Sequence, residues 1–495
     1  MTANTKPDPD QLLCPIPRQI KWPGNYLKIT GQADLMISDT MSADAVESLK
    51  STWNNFTQSK IKLNVISGRA PPQHSLLLAI NGKMPVAIRL DTNSTSALTI
   101  NEAGAAACGR SETDLKHAWF SMLQMFVCGN TPKAEFWQLP LMSMQDAPIL
   151  KFRGIHLCVF PETPLTFVEK IIKLAAFLKF SHIVLEFWGT LKYETLAELA
   201  WPQAYSKKQV AQLLRTARQM GIQPVPMFNH WGHAAGSRRR CGRHVVLDQN
   251  PALEPLFEPD GWTWCLTNPA TLALLKNIRA ELMELFGKTE YFHLGCDEAH
   301  SHATCPECRK HDSPQLLADY LNSINDELKA HNIRPFIWGD ALLEVGKWEG
   351  YTATSRPHQR THEALDLLSR DFIINDWQYD INDKTKTATM DWFMKKGFEV
   401  VSAPWHAHAN ITSLADMAIA KNAKGMLLTT WNTLPTAIGS MVTAAQSAWG
   451  GSESLKGHPR LAYILAAYIR KLRGGPTDYK NAGWKNCEVD DSSQL

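Results

Sequence analysis

The sequence predicts a (β/α)8 barrel preceded by a smaller α/β domain, and three observations lead to this fold class. From residue 151 onward, short apolar runs alternate eight times with segments of helical periodicity. The apolar runs are nearly continuous, as expected of parallel strands that are buried on both faces. Eight such units within about 300 residues match the usual size of this barrel. A doubly wound open sheet is the alternative with the same local pattern.

The predicted N-terminal domain covers residues 1–148. Its strand candidates are short β-like runs at 26–29, 61–66, 76–80, 86–90 and 97–100. A segment with helical periodicity follows at 111–127. Several strands followed by a helix favour a sheet packed against one or two helices.

The predicted barrel covers residues 149–450. Its strands are predicted at 152–159, 182–187, 222–228, 291–294, 334–338, 371–376, 398–403 and 425–430. Its helices are predicted at 166–179, 206–220, 271–286, 315–331, 361–368, 387–396, 413–421 and 435–449. The connection 229–270 is long and rich in His, Arg and Trp, so we expect it to cover the barrel mouth. Residues 451–495 form a third segment, with an amphipathic helix at 459–472 and a polar end.

Composition narrows the class of partner. The net charge is only +3 and the densest basic cluster, at 238–240, is interpreted as a solvated loop, so no nucleic-acid partner is expected. No apolar run reaches about 18 residues, and the first ten residues lack the apolar core of a signal peptide. We therefore expect a cytoplasmic protein with no membrane partner, whose ten cysteines are reduced thiols. The seventeen tryptophans suit either a sugar-binding cleft or core packing.

Two adjacent carboxylates, Asp297 and Glu298, follow the fourth predicted strand. The C-terminal ends of barrel strands are where active sites lie. Adjacent negative charges tend to raise at least one pKa, as a general acid near neutral pH requires. An Asp-Glu pair alone is common on surfaces, and its significance here comes from the strand context with His293 and Gly295.

Other strand ends carry polar or aromatic residues that we expect to face the same mouth. They are Arg153, Asn229, His230, His233, Trp338, Asp340, Trp377, Tyr379, Trp405, His406, His408, Trp431 and Asn432. Tryptophans at four successive strand ends suggest an aromatic box around a sugar ring or a small apolar group, although each one alone is equally consistent with core packing.

Three motifs resemble those of glycoside hydrolase family 20, the β-N-acetylhexosaminidases. The run His-Leu-Gly-Cys-Asp-Glu at 293–298 resembles the family's strand-four motif His-x-Gly-Gly-Asp-Glu, with Cys296 as the departure. The run 151–156 resembles the Arg-Gly motif of the first strand. The third-strand run 226–233 keeps the proline, the glycine and the last histidine of Pro-Glu-Ile-Asp-x-Pro-Gly-His but neither acid, which is more similar to the hexosaminidase D branch.

The resemblance implies a retaining exo-β-N-acetylhexosaminidase that removes terminal N-acetylglucosamine or N-acetylgalactosamine. In this family the substrate's own acetamido oxygen attacks the anomeric carbon and forms an oxazolinium intermediate. Glu298 would be the general acid and then the base, and Asp297 would accept the acetamido N–H. The implied substrate-binding residues are Arg153 for sugar hydroxyls and Trp338, Trp377 and Trp431 around the acetamido methyl, with His233, Tyr379, Trp405 and Asn432 as further candidates.

Two departures from the family pattern keep alternatives open. The strand-seven Asp-x-Tyr is absent from 402–408, and Tyr379 is the suggested substitute. Thr433 stands where the family has a glutamate that binds sugar hydroxyls, so we expect both gluco and galacto epimers to be accepted. The alternatives are a non-catalytic N-acetylhexosamine-binding protein on a degenerate barrel and a glycosidase for another modified amino sugar.

A Cys-x2-Cys pair, Cys305 and Cys308, follows the carboxylates and has histidines nearby at 300, 302 and 311. This spacing suits zinc, but no second Cys-x2-Cys pair is evident. The resemblance implies no metal or other cofactor. We therefore expect none, with Cys305 and Cys308 as the zinc candidates should one bind.

Overall fold

The computed structural model describes residues 12–29, 32–38, 41–57, 61–66, 75–80, 85–128, 137–160, 163–201, 204–234, 247 and 250–455. The predicted helix at 459–472 lies outside these residues. Within the described ranges, none of the helices combines the length and the apolarity that crossing a bilayer requires.

The N-terminal part contains a seven-stranded mixed sheet and a separate two-stranded ribbon. The strands are β1 Gln19–Lys21, β2 Tyr26–Ile29, β3 Gln32–Ile37, β4 Lys62–Ile66, β5 Ser75–Ile80, β6 Ser96–Asn101, β7 Gly104–Gly109, β8 Trp137–Pro140 and β9 Met142–Asp146. The sheet order is β1-β9-β6-β7-β5-β3-β4, and β2 pairs with β8. Helices α1 (Ala43–Thr57) and α2 (Glu112–Cys128) pack together through Trp53 and Trp119, both fully buried, with ring centroids 5.8 Å apart.

One strand predicted for this domain is wrong. Residues 86–90 are described but form no strand, and Val86 is 79% exposed. The segment runs outside the ladder, held in part by the side chain of Gln145, whose amide donates to the Arg89 carbonyl. A β-branched residue in the sequence therefore did not signal a paired strand here, because strand preference depends on tertiary packing.

The eight predicted barrel strands are confirmed, and they close into a parallel barrel. They are β10 Phe152–Cys158, β11 His182–Glu186, β12 Gln223–Met227, β13 Tyr291–His293, β14 Arg334–Trp338, β15 Ile373–Asp376, β16 Glu399–Ser402 and β17 Gly425–Leu428. Closure comes from β10, which pairs in parallel with both β11 and β17. The open-sheet alternative is therefore excluded.

Helices surround the barrel between its strands. They are α3 Leu165–Phe177, α4 Lys207–Gln219, α5 Pro269–Phe286, α6 Ser313–Ala330, α7 Ala388–Lys395, α8 His408–Ala420 and α9 Ile438–Gly450. The helix predicted at 361–368 is instead a short 3-10 helix, Thr361–Asp366, next to α6. Its hydrogen bonds run from residue i+3 to residue i, as from the Leu367 N–H to the Ala364 carbonyl at 2.9 Å.

Side-chain alternation along the barrel strands decides which residues reach the mouth. Phe152, Val184, Val225, Phe336 and Val401 belong to one apolar cluster inside the barrel. Because successive strand residues point to opposite sides, positions two and four residues further along also face the interior, closer to the C-terminal end. This places the ends of the strands, and the loops just beyond them, around one opening.

Candidate active site

Asp297 and Glu298 lie in the loop that leaves the C-terminal end of β13. The backbone turns sharply here, with positive φ at Gly295 (68°), Cys296 (76°) and Glu298 (48°). Non-glycine residues rarely adopt this region, and strain of this kind is concentrated at functional sites. The turn directs both carboxylates toward the loop that follows β12.

Two glycines allow these loops to approach each other. A Cβ atom on Gly232 would lie 1.9 Å from the Asp297 carbonyl oxygen, and one on Gly295 would lie 2.0 Å from Oδ1 of Asn229. Both distances are far shorter than any van der Waals contact, so only glycine fits at either position. The close approach brings His233, which follows Gly232, to the carboxylates.

His233 contacts both carboxylates through one ring nitrogen. Its Nε2 atom lies 3.1 Å from Oε2 of Glu298 and 3.3 Å from Oδ2 of Asp297. Burial alone lowers the pKa of His233, but the charge of Asp297 and the hydrogen bonds from both carboxylates raise it well above its usual value. These contacts therefore favour the protonated ring, whose Nε2–H can donate to either carboxylate.

The pKa of Glu298 is lowered rather than raised. Burial raises the pKa of this carboxyl, but the hydrogen bond and charge of His233 outweigh burial and bring it below its usual value. A raised pKa is found instead at Asp340, where burial first and the charge of Asp297 second bring it to about 7. The raised pKa expected for a member of the adjacent pair is therefore not found at Glu298, and Asp340, which carries one, lies outside the pair.

The backbone of Glu298 is held on both sides. Its N–H donates to Oδ2 of Asp340 at 3.0 Å, and its carbonyl accepts from Nε1 of Trp262 at 2.8 Å. Asp340 also accepts from Nε1 of Trp377 at 2.9 Å and from the hydroxyl of Thr354 at 2.7 Å. Asp340 is 2% exposed, so it is a buried anchor behind the carboxylate pair rather than a group that meets solvent.

One oxygen of the pair is left for a ligand. Oδ1 of Asp297 is buried and has no hydrogen-bond partner among the described residues. The whole side chain is only 7% exposed. A buried acceptor without a donor is destabilising, so this atom is suited to accept a hydrogen bond from a donor group on a ligand. Glu298 has a more accessible side chain, at 32% exposed.

An aromatic wall lines the mouth beside the pair. Trp338 and Trp431 have ring centroids 5.7 Å apart, and Trp377 lies 4.9 Å from Tyr379. The Tyr379 hydroxyl joins the two halves, because it accepts from Nε1 of Trp431 at 2.6 Å. Trp405 continues the wall, 5.3 Å from Tyr379. The structure therefore brings five of the predicted binding residues into one contiguous surface.

Comparison with known proteins assigns a family to this arrangement. Residues 184–436, just over half of the chain, match the family described as "Glycosyl hydrolase family 20, catalytic domain". The chain belongs to glycosyl hydrolase family 20.

Individual relatives are distant. A lacto-N-biosidase of Bifidobacterium bifidum is 22% identical over 329 residues, covering 64% of this chain but only 28% of that protein. Hexosaminidase D of Bos taurus is 23% identical over 261 residues, covering 50% of this chain and 68% of that protein. An exo β-N-acetylglucosaminidase of Vibrio harveyi, solved in complex with N-acetylglucosamine, has a TM-score of 0.69 at 16% identity, over 94% of this chain and 77% of that one. This last likeness shows a shared fold.

The family predicted from the His-Leu-Gly-Cys-Asp-Glu run is thus confirmed, and the hexosaminidase D match agrees with the branch indicated by the third-strand motif. Cys296, the departure from the glycosyl hydrolase family 20 motif, has a φ of 76°. Glycine adopts this conformation without strain, which explains the glycine in the family motif. Here the thiol of Cys296 stays buried and donates to the Leu294 carbonyl.

The role predicted for Arg153 in family 20 sugar binding is corrected by its position. Arg153 follows the inward-facing Phe152 at the start of β10, so its side chain points out of the barrel at the end opposite to the mouth. Its guanidinium donates to the carbonyls of Lys179, Leu150 and Lys151 and lies 4.9 Å from the ring centroid of Trp449. Its neighbours Lys179 and Trp449 both contact Asp146 at the end of β9, so Arg153 lies where the barrel meets the N-terminal sheet, away from the carboxylates.

The remaining predicted residues lie at the rim or beyond the described side chains. Trp405 is 8% exposed and packs against His406, with ring centroids 4.2 Å apart. His406 and His408 are exposed and contact neither carboxylate. The side chain of Asn432 lies outside the described part of the chain.

The sequence did not reveal His156 and Glu186, which form a buried polar floor with Asn229, a residue already predicted to face the mouth. His156 Nε2 lies 3.0 Å from Oε2 of Glu186, and the Asn229 amide donates to Oε1 of Glu186 at 2.8 Å. Burial raises the pKa of Glu186, but these hydrogen bonds and the nearby His156 lower it overall. The available signal was the charged residue that ends the otherwise apolar run of β11. Trp262, whose indole donates to the Glu298 carbonyl, could not be recognised from the sequence beyond its place in the long connection.

Proposed function

We propose that this protein is a retaining exo-β-N-acetylhexosaminidase that uses the acetamido group of its substrate as the nucleophile. The observation that carries the proposal is the carboxylate pair bridged by His233, with Oδ1 of Asp297 buried and open for a donor. The family supports glycoside hydrolysis. The solved relative from Vibrio harveyi is named an exo β-N-acetylglucosaminidase and holds N-acetylglucosamine.

In the first step, Glu298 protonates the glycosidic oxygen as the bond from that oxygen to C1 breaks. The proton comes from the hydrogen-bonded pair of His233 and Glu298, which holds one proton across 3.1 Å. Removal of water by the bound sugar favours the neutral pair, because ionised groups lose more hydration than neutral ones. General-acid assistance of this kind contributes about 100- to 10,000-fold to a rate.

The acetamido oxygen attacks C1 from the opposite face in the same step and forms the oxazolinium ion. Positive charge then develops at the amide nitrogen, and the free Oδ1 of Asp297 accepts its N–H. A fixed carboxylate beside a developing cation stabilises the transition state more than the ground state. In the second step Glu298 removes a proton from water, which attacks C1 and reopens the ring. The β configuration is retained because C1 is inverted twice.

The aromatic wall supports selectivity for an acetylated sugar. Trp338 and Trp431 pack together at the mouth, Trp377 donates to Asp340 behind the carboxylates, and the Tyr379 hydroxyl orients the Trp431 ring. A sugar without the acetamido group lacks both the apolar methyl and the nucleophile. In the sequence, Thr433 stands where the family has a glutamate that binds sugar hydroxyls, which supports acceptance of both C4 epimers.

The experiment is a comparison of aryl β-glycosides that differ only at C2. The N-acetyl-β-glucosaminide is expected to turn over at least about 1000-fold faster than the β-glucoside, because only the former carries a nucleophile. The N-acetyl-β-galactosaminide should be cleaved at a comparable rate, and a thiazoline mimic of the cyclised intermediate should inhibit competitively. Tight binding of N-acetylhexosamine without turnover of any of these glycosides would instead establish the binding-protein alternative.

A further inference from the structure

A second group of metal-type ligands lies outside the carboxylate site, where the loop after β13 meets the long loop after β12. The members of this group are Glu258, Cys265, Cys305 and Cys308, and their ligand atoms all lie within 4.8 Å of one another. Two come from each loop. The Cys-x2-Cys pair seen in the sequence thus finds its partners about 40 residues upstream, in a stretch with no second Cys-x2-Cys motif.

The sulfur geometry fits a tetrahedral ion. Sγ of Cys265 lies 3.7 Å from Sγ of Cys308 and 3.8 Å from Sγ of Cys305. Sulfurs at about 2.3 Å from a tetrahedral zinc ion are about 3.8 Å apart, whereas bonded disulfide sulfurs are about 2.0 Å apart. The three thiols are therefore spaced as ligands of one ion and not as a disulfide.

The backbone around the pair has the form expected of a thiolate turn. The N–H of Cys308 donates to Sγ of Cys305 at 3.2 Å, and the hydroxyl of Thr267 lies 3.2 Å from Sγ of Cys308. Donors aimed at the sulfurs stabilise thiolates, the form that binds metal.

An independent observation comes from Glu258. Its Oε2 atom accepts from the N–H groups of Thr304 and Cys305, while its Oε1 atom is buried without a partner in the described ranges. The residue is 1% exposed. A buried carboxyl oxygen without a donor, placed beside three sulfurs, supplies a fourth ligand atom for a metal ion.

We propose that the loops after β12 and β13 are joined by a structural zinc ion whose four ligands are Glu258, Cys265, Cys305 and Cys308. A sulfur-rich tetrahedral set favours zinc over magnesium, calcium or manganese, which prefer oxygen. Four protein ligands leave no open position, as in structural rather than catalytic sites. The histidines at 300, 302 and 311 that the sequence offered are not members of the set.

The site lies close to the acid. Between Glu258 and Cys265 is Trp262, whose indole holds the Glu298 carbonyl and whose ring lies 4.4 Å from that of His233. The segment is pinned by the pairing of Phe257 with Trp264, and Ser301 on the other loop donates to Asp260. The ion therefore fixes the two loops whose approach places His233 against Glu298, while contacting neither residue.

The first test is elemental analysis of the purified full chain, expressed without a metal-affinity tag. We expect about one zinc per chain, held through extensive dialysis and released by a mercurial thiol reagent. X-ray absorption at the zinc edge should show about three sulfurs at roughly 2.3 Å and one oxygen neighbour at about 2.0 Å. Metal-free, folded protein in which Cys265, Cys305 and Cys308 titrate as free thiols, or form a disulfide, would overturn the proposal, as would a different metal.

Variants locate the site. Cys265→Ser and Cys308→Ser should lose most of the zinc, and Glu258→Gln should keep it but release it at least about tenfold faster to a chelator. The matched control is Cys108→Ser, a buried cysteine of β7 in the N-terminal sheet, which should keep the full zinc content. Unchanged zinc content in both cysteine variants, or zinc release from Glu258→Gln at the wild-type rate, would refute the assignment. If the cysteine variants do not fold, the absorption spectrum of the unaltered protein and Glu258→Gln still decide it.

Discussion

His233 and Glu298 share one hydrogen bond, with Nε2 and Oε2 separated by 3.1 Å, and the same nitrogen lies 3.3 Å from Oδ2 of Asp297. The charge of Asp297 and the hydrogen bonds from both carboxylates raise the pKa of the imidazole, and His233 in turn lowers that of the Glu298 carboxyl. In the proposed mechanism the acid is therefore the hydrogen-bonded pair rather than Glu298 alone.

Replacement of His233 by Asn is expected to reduce kcat/KM for an N-acetyl-β-hexosaminide by about 100-fold. The alkaline limb of the pH profile should also move to lower pH, because the pair loses its last proton at the raised pKa of the imidazole, whereas the variant loses it at the pKa of a carboxyl. Initial rates between pH 4 and 9 measure both effects. His331→Asn, an exposed histidine at the end of α6 far from the mouth, is the control and should change neither. An unaltered alkaline limb in His233→Asn would show that the pair does not carry the proton.

The raised pKa of Asp340 predicts that the stability of the folded protein depends on pH. Its pKa in the folded protein is about 7, against an ordinary value of 3.8, so between these values the unfolded chain has released a proton that the folded chain keeps. Stability must therefore fall as pH rises through this window, by up to about 1.4 kcal/mol per pH unit from this group. Asparagine does not titrate, so Asp340→Asn lacks this pH-dependent contribution. The free energy of unfolding of wild type minus that of the variant should therefore decrease steadily from pH 4 to 7.

Urea unfolding of both proteins at several pH values measures this difference. Asp380→Asn, at an exposed position near the mouth, is the control and should track wild type at every pH. A difference between wild type and Asp340→Asn that stays constant across the range would mean that Asp340 is ionised throughout, with its three donors outweighing burial.

Tyr379 is expected to orient Trp431. The hydroxyl accepts from the indole at 2.6 Å, and Trp431 has a positive φ of 35°, a backbone state that needs support from its surroundings. Tyr379→Phe should reduce kcat/KM by about tenfold, the effect of one lost hydrogen bond of about 1.4 kcal/mol. Tyr351→Phe is the control, since its hydroxyl accepts from the Ala388 N–H away from the pair. Equal kcat/KM values for the two variants would show that the Tyr379 hydroxyl does not contribute to the reaction by orienting Trp431.

The barrel and the carboxylate pair were predictable from the sequence because both follow from short-range pattern. Eight apolar runs of strand length fix the fold class, and the end of such a run fixes which end of the barrel a residue occupies. Arg153 shows the limit of reading by motif alone. Its position at the start of β10, next to the inward-facing Phe152, already implied an outward side chain at the wrong end.

The rest depends on contacts between loops that are distant in sequence. Trp262 meets Glu298 36 residues away, and Cys265 meets Cys308 43 residues away. No local periodicity links such positions, since loop conformations are set by tertiary packing and by single permissive residues such as Gly232. The lowered pKa of Glu298 was unpredictable for the same reason, because it depends on the contact with His233.

The most direct test of the account is turnover of a β-linked N-acetylglucosamine disaccharide by wild type and by Glu298→Gln. A sugar leaves much less readily than an aryl group unless the glycosidic oxygen is protonated, so cleavage of this disaccharide depends fully on the general acid. We expect wild-type hydrolysis with retained configuration. The variant should lose at least about 1000-fold in kcat while keeping its melting temperature and its affinity for the product. Hydrolysis by Glu298→Gln at the wild-type rate would contradict the assignment of Glu298 as the acid and, with it, the proposed mechanism.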